Sequence, residues 1–233
     1  STLVLYTTRH LQFSIKEATA VMGVFGAFNY GLHLFGGYLG GRFLSNRNLF
    51  VGGMLLQVFG CGTMSVGTVE TMYLGLALFL TGSGLNVTCI NMMLTQRFAP
   101  ADLRRESAFF WNYAGMNMGF FIGFAVAGHY QLTEDYSRLF LFATVGNFLA
   151  IVLAFFNWKA LADRSTRLLD ATPRQYRARF VAGIAILVGI VPIVWFMLQR
   201  TGSTSTIFKT FSVVLAGLLV YLTVKHKDRR ERN

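Results

Sequence analysis

Charge is scarce in this sequence: Asp, Glu, Lys and Arg together make up 13% of its 233 residues, about half the share in an ordinary soluble domain. Acidic residues are the rarer sign, 10 against 21 basic ones, and none lies inside a long apolar run. The two cysteines, Cys61 and Cys89, both fall inside apolar runs, which excludes a disulfide framework. Hydrophobic residues, by contrast, make up 54% of the chain. This balance predicts an all-α, polytopic membrane protein.

The apolar runs predict eight membrane spans separated by polar loops. The first is short, lacks a basic region before it, and is expected to be the end of a helix and not a signal peptide. Ser14 and Glu17 have the spacing of a capping box ahead of the second span, and Pro192 predicts a kink in the seventh. The predicted spans are 2–8, 18–37, 49–67, 72–94, 107–128, 139–158, 180–198 and 207–224.

The fifth span, Ser107–Gly128, is the most informative stretch, because its 22 residues carry no charge. Gly115, Gly119 and Gly123 recur every fourth residue, which predicts a ridge where a neighbouring helix packs closely. Tyr113 and Asn117 share another face of the same helix. Polar groups at this depth must face protein or a water-filled cavity, so the pattern favours a transport helix.

The basic residues indicate the orientation of the chain. Of the 21, 16 lie in loops 41–48, 95–106 and 159–179 or in the tail 225–233, and five lie in segments on the other side of the predicted spans. Cytoplasmic loops are enriched in Lys and Arg, so these segments and the C-terminal tail are predicted to be cytoplasmic. The tail is also placed to contact anionic membrane lipid. Short basic loops between spans do not favour a nucleic-acid partner.

Four segments resemble the proton-dependent oligopeptide transporters, a branch of the major facilitator superfamily. Phe109–Gly119 is similar to the signature F-x-x-x-Y-x-x-x-N-x-G of that family, and 102–108 is similar to its D-x-R-R-D-S-A entry. Residues 36–44 resemble the loop G-G-x-L-a-D-R-x-x-G of the superfamily, and 82–85 resemble the start of G-x-G-L-F-K.

The resemblance implies a division of the chain. Residues 1–158 would form the first six-helix bundle of a major-facilitator-type transporter, with its first helix truncated. Residues 159–179 would be a cytoplasmic linker, 180–224 an additional pair of transmembrane helices, and 225–233 a basic cytoplasmic tail. A second six-helix bundle, on the same polypeptide or on a partner chain, would complete the transporter.

The sequence also departs from the family pattern at four positions. Gly41 stands where the loop motif has an acidic residue, and Ser45 where it has a glycine. Val87 stands where span four has a lysine, and His33 where span two has a proline. The resemblance associates that lysine with proton coupling and the peptide carboxylate, and a valine holds no charge. The E-x-x-E-R motif of the first helix would precede residue 1.

The resemblance assigns the substrate cavity to five side chains, with Phe110 as a further apolar wall. Each polar member has a second interpretation, in which its hydroxyl or amide bonds a neighbouring helix. Asn86 and Asn91 flank the Val87 position, and Asn86 is the one expected in the cavity. The predicted substrate-binding residues are Tyr30, Asn86, Trp111, Tyr113 and Asn117.

Three further residues are candidates for proton transfer or gating. His33 has a side chain that titrates near neutral pH and lies one turn from Tyr30, but a lone histidine in a glycine-rich helix also fits simple packing. Arg42 and Arg47 lie in the loop that resembles the gate of the superfamily, and both also fit ordinary cytoplasmic anchoring.

The resemblance therefore implies a secondary active transporter in the inner membrane, a proton symporter for small peptides or peptide-like solutes. The alternative is a transporter-like protein that does not transport and acts as an accessory or scaffold subunit. No enzyme is expected, because no predicted span contains a carboxylate and the four histidines lack metal-ligand spacing. No cofactor and no metal are expected.

Overall fold

A computed structural model of the chain describes residues 2–99, 101–202 and 206, and these fold as helices joined by loops. The predicted eighth span, 207–224, and the tail, 225–233, lie outside the described residues. The all-α class is confirmed. In chain order the elements are α1 (Thr2–Leu5), a π-helical turn (Tyr6–His10), α2 (Ile15–Leu39), α3 (Asn46–Met64), α4 (Val69–Thr95), α5 (Arg104–Leu132), α6 (Tyr136–Phe156) and α7 (Pro173–Gln199).

Five of the described helices, α2, α3, α4, α6 and α7, begin after a residue whose side chain caps the first turn. The predicted capping box is confirmed: the Ser14 hydroxyl accepts from the Glu17 backbone N–H at 3.2 Å, and the Glu17 carboxylate accepts from the Ser14 N–H at 3.0 Å. A second box, Thr172 with Gln175, starts α7 at Pro173, well before the apolar run at 180. Proline at the first helical position and a capping box around it stabilise the start of a helix, even where the residues that follow are polar.

Four helices within the described ranges are long and apolar enough to cross a membrane: α2, α4, α6 and α7. Helix α7 continues through Pro192. Helices α3 and α5 are predicted spans too, but neither is among the four. Glycine and amide side chains lower their mean hydropathy, so their crossing stays a prediction based on length and on the lack of charge in their centres.

The tightest helix contact joins α3 and α4 through facing glycines. A Cβ atom added at Gly60 would lie 2.7 Å from the Gly75 carbonyl oxygen and from the Phe79 nitrogen. A Cβ atom at Gly53 would lie 2.9 Å from the Gly82 carbonyl oxygen. Only glycine allows the two backbones to approach this closely.

Helix α5, in contrast, has no buried residue as far as the structure describes the chain. Within the described part of the chain, a Cβ atom at Gly115, Gly119 or Gly123 would meet no atom within 4 Å. The expected neighbour of this glycine ridge is therefore not found among the described residues. Spacing alone marks a face that permits close packing, but it does not supply the partner.

Candidate functional site

An open groove of about 570 Å³ runs between α4 and α5, and we regard it as the candidate functional site. Its walls combine aromatic rings with carboxamides, and none of the described residues that line it carries a charge. Such a surface can stack on apolar groups and exchange hydrogen bonds with amides. The lining residues are Val87, Ile90, Asn91, Phe109, Trp111, Asn112, Tyr113, Gly115 and Met116.

Two of the predicted site residues on α5 line this groove. Trp111 and Tyr113 are 72% and 61% exposed, so their rings are available to a ligand. Asn117 lies one turn further along the helix, outside the lining, and its Nδ2 donates to the Tyr113 carbonyl at 2.8 Å. Phe110 is exposed and packs edge-on against Trp111, at 6.4 Å between ring centroids. The predicted face of Tyr113 and Asn117 is thus open, and its role stays a prediction.

The two sides of α4 differ, and the structure corrects the placement of Asn86. Val87 is 42% exposed in the groove, so the position where the resemblance expects a lysine does face α5. Asn86 is only 3% exposed and lies against Gly53 in the α3–α4 contact. Successive residues of a helix are separated by about 100°, whereas residues four apart share a face. Asn91 therefore lies beside Val87 in the groove, and Asn86 does not.

Tyr30 and His33 lie together on α2, away from the groove lining. Their rings meet edge to face at 6.0 Å, and Tyr30 is 74% exposed. The backbone carbonyl of His33 accepts a hydrogen bond from Thr88 of α4 at 2.9 Å. The Nε2 atom of the His33 imidazole is buried and has no hydrogen-bond partner in the described structure. His33 thus contributes to the α2–α4 contact while its imidazole stays next to Tyr30.

The two loop arginines differ in their partners. Arg42 is exposed, with its guanidinium 4.8 Å from the centre of the Tyr38 ring. Arg47 stacks on Trp158 at 4.5 Å and donates to the Trp158 carbonyl at 2.9 Å, just beyond the end of α6. A cation at a helix C-terminus is favourable. Arg47 therefore fixes α3 to α6, and a gating role for either arginine stays a prediction.

The groove could have been defined more fully from the sequence. Asn91, Phe109, Asn112 and Met116 line it and are missing from the predicted set. Asn91 is four residues after Val87, so helical spacing alone would have placed both on one side of α4. Within residues 2–99 and 101–202, no three His, Cys, Asp or Glu side chains lie close enough together to hold a metal ion.

Comparison with known proteins identifies relatives of this chain, although no protein-family model matches it. It is 25% identical over 223 residues to the peptide transporter YePEPT of Yersinia enterocolitica, covering 89% of this chain and 41% of that protein. It is 23% identical over 233 residues to dipeptide and tripeptide permease A of Pectobacterium carotovorum, covering 98% and 46%. A di-/tripeptide transporter of Lactococcus lactis is 24% identical over 205 residues, covering 86% and 40%. The chain thus spans less than half the length of the curated relatives that it matches.

Solved structures show the same fold. A bacterial homologue of the human drug peptide transporters PepT1 and PepT2 superposes with a TM-score of 0.77 at 19% identity, covering 96% of this chain and 52% of that one. Tetrameric PepTSo2 superposes with a TM-score of 0.80 at 16% identity, covering 94% and 49%. This partial coverage fits the N-terminal half of such a transporter. The resemblance drawn from the motifs is confirmed: the chain is similar in sequence to curated peptide transporters and in fold to solved transporters of the POT family.

Proposed function

We propose that this chain is the first half of a secondary active transporter that takes up small peptides or peptide-like solutes with protons. The observation that carries the proposal is the uncharged groove of aromatic and carboxamide side chains on a fold shared with half a peptide transporter. The curated relatives bear the names of peptide transporters, and no observation favours an accessory subunit.

The chemistry of the groove suits the middle of a peptide better than its ends. Asn91, Asn112 and Tyr113 can donate to and accept from peptide amide groups, and Trp111 offers an apolar face to a side chain. A peptide also carries a free ammonium and a free carboxylate, which are stabilised by opposite charges. Since the groove lining is uncharged, we propose that these two ends are bound by the second bundle, across the cavity from α4 and α5.

Alternating access follows from this arrangement. The substrate would lie near the membrane midplane between the two bundles, and the bundles would rock around it. Helix α5, with no buried residue in the described structure, would present its open face to the second bundle. The position of the protein would then be the inner membrane, with the linker and the C-terminal tail on the cytoplasmic side, where anionic lipid is available to the basic residues.

Proton coupling requires a titratable group that Val87 cannot supply. We propose His33 for this half, because its imidazole lies beside Tyr30 with a buried nitrogen that has no partner in the described structure. Replacement of His33 by Gln should abolish uptake driven by a proton gradient while exchange of labelled for unlabelled peptide continues. Gradient-driven uptake at the wild-type rate would exclude this role.

The experiment that tests the function is uptake of a labelled dipeptide or tripeptide by the full-length protein in proteoliposomes under an inward proton gradient. Absence of uptake by a folded protein would contradict the proposal. Tyr113→Phe and Asn117→Leu should each reduce uptake. Two controls match them. Tyr176→Phe removes a hydroxyl from an exposed ring on α7, and Asn157→Leu removes an amide that bonds a carbonyl four residues earlier, at 2.9 Å, as Asn117 does.

Equal losses in the controls would show a general effect on the fold and would remove the site assignment. Wild-type uptake in both α5 variants would remove it as well, while leaving the transport function itself in place.

A further inference from the structure

The segment that connects α6 to α7 is docked against the bundle. We call residues 158–168 the strap. Its carbonyl at Ala162 accepts from Arg97 Nη2 at 2.5 Å, and its N–H at Arg164 donates to Gln96 Oε1 at 2.9 Å. Arg97 and Gln96 follow the end of α4, so the strap is attached to that end by two hydrogen bonds. Burial and the nearby Arg164 lower the pKa of Arg97.

Asp163 of the strap binds the first turn of α3. Its two carboxylate oxygens lie 3.3 and 3.1 Å from the Asn46 backbone nitrogen, and Oδ1 accepts from Asn46 Nδ2 at 3.0 Å. The first backbone N–H groups of a helix lack partners within the helix, and a carboxylate there is favoured by the helix dipole. Asn46 is 1% exposed, so this charge-assisted contact is sheltered from water.

The strap also contacts the loop between α2 and α3. Gly41 in this loop has a positive φ of 72°. Its carbonyl accepts from the Leu168 N–H at 3.0 Å. A Cβ atom at Gly41 would lie 2.8 Å from Thr166 Cγ2, so the strap occupies the space that a side chain at position 41 would need. Leu168 is 2% exposed, which shows that the strap also covers apolar surface.

These contacts explain one departure of the sequence from its family pattern. The loop has no carboxylate at position 41, and the strap fills that space and brings its own carboxylate to the start of α3. We propose that the strap is a latch that holds the α2–α3 loop, the start of α3 and the end of α4 as one unit, with Asp163 as the positioning residue that keeps it closed. The proposal does not depend on transport.

Thiol labelling tests the latch. The Thr166 hydroxyl oxygen is buried, so a cysteine introduced by Thr166→Cys is shielded while the latch is closed. The chain's own Cys61 and Cys89 are buried at 1% and 0% exposure, and they report unfolding of the whole bundle in the same sample. The full-length protein, purified in detergent, is treated with a maleimide, and labelling at each position is followed by mass spectrometry.

Adding Asp163→Ala should speed labelling at position 166 about tenfold, the scale expected for losing a hydrogen-bonded charge. Labelling at Cys61 and Cys89 should stay unchanged. The matched control is Asp170→Ala, which removes an exposed carboxylate a few residues later in the same connection, where the described structure shows no hydrogen bond to that side chain. It should leave labelling at position 166 unchanged.

Conservative variants separate charge from shape. Asp163→Asn keeps one acceptor oxygen and should give an intermediate rate, and Asp163→Glu should restore much of the protection. Gly41→Ala should open the latch from the other side through its contact with Thr166. An unchanged rate at position 166 in Asp163→Ala would overturn the proposal. An equal rise at all three thiols would also overturn it, since Asp163 would then support only global stability.

Discussion

The α3–α4 contact and helix α5 use the same residue, glycine, to opposite effect. On α3, Gly53 and Gly60 are seven residues apart, and on α4, Gly75 and Gly82 have the same spacing. Seven residues return to nearly the same face of a helix. In an antiparallel pair, Gly53 therefore meets Gly82 and Gly60 meets Gly75, and the structure shows both contacts.

The glycines of α5 follow the four-residue spacing associated with close packing in membranes, yet they face open space in the described structure. The difference is the partner. Helix α4 follows α3 after a short turn and brings a matching row of glycines. Helix α5 follows the eight-residue connection 96–103, and no matching row of glycines lies beside it among the described residues. A glycine ridge thus becomes a structural contact only where the topology supplies a complementary surface.

The largest expected effect comes from adding one methyl group to a glycine in the α3–α4 contact. Gly60→Ala places a Cβ atom against backbone atoms of α4 that cannot move separately, so the two helices must separate. The expected loss is about 1–3 kcal/mol, the usual cost of overpacking a core. Thermal unfolding of the purified protein, followed by size-exclusion chromatography after heating, measures it.

Gly119→Ala is the matched control on α5, since it adds the same methyl group where nothing lies within 4 Å of it in the described structure. It should leave the thermal stability unchanged or raise it slightly, because alanine favours helix over glycine by about 1 kcal/mol. A loss equal to that of Gly60→Ala would contradict the contrast and would indicate a close neighbour on α5 outside the described residues.

A smaller effect is expected from comparing the two asparagines of α4. Asn91→Ala removes an amide from the groove and should raise the KM for peptide about 2- to 10-fold, the worth of one hydrogen bond. Asn86→Ala removes an amide that has no hydrogen-bond partner in the described structure and lies against α3, so KM should not change. Peptide uptake in proteoliposomes at several concentrations measures both. The reverse order would contradict the groove between α4 and α5 as the binding site.

The fold of the described part was largely predictable from the sequence because apolar runs and capping residues are local signals. Ser14 and Glu17 marked the start of α2, and each predicted span from the second to the seventh lies within one helix, apart from a few terminal residues. Boundaries failed where polar residues continue a helix. Helix α7 extends to Pro173 because Thr172 and Gln175 form a capping box outside the apolar run.

The candidate site was less predictable because it depends on which helix lies beside which. Tyr113 and Trp111 were found from their motif, and both line the groove. Asn86 was assigned to the cavity only because it adjoins Val87, and one residue along a helix turns the side chain by about 100°. Asp163 had no local signal at all, since its contact with Asn46 joins residues 117 positions apart.

The smallest expected effect comes from the start of α5, where the carboxylate of Asp102 contacts a residue only two positions away in the sequence. Asp102 accepts from the Arg104 backbone N–H at 3.0 Å and from its guanidinium at 2.8 and 3.1 Å. These hydrogen bonds hold the pKa of Asp102 below its ordinary value. Its contribution is therefore complete at neutral pH and is lost as the pH falls through that lowered pKa.

Asp102→Asn removes the same contribution at neutral pH, and the result should be slightly faster hydrogen exchange in the first turn of α5. The effect is small because the Arg104 side chain is 82% exposed and water screens the pair. The backbone amides of α3 and α4 should exchange at the wild-type rate in this variant, since α5 has few contacts with these two helices. Faster exchange in α3 or α4 would mean that the start of α5 is coupled to the tightly packed pair, and the contrast between the two regions would then be wrong.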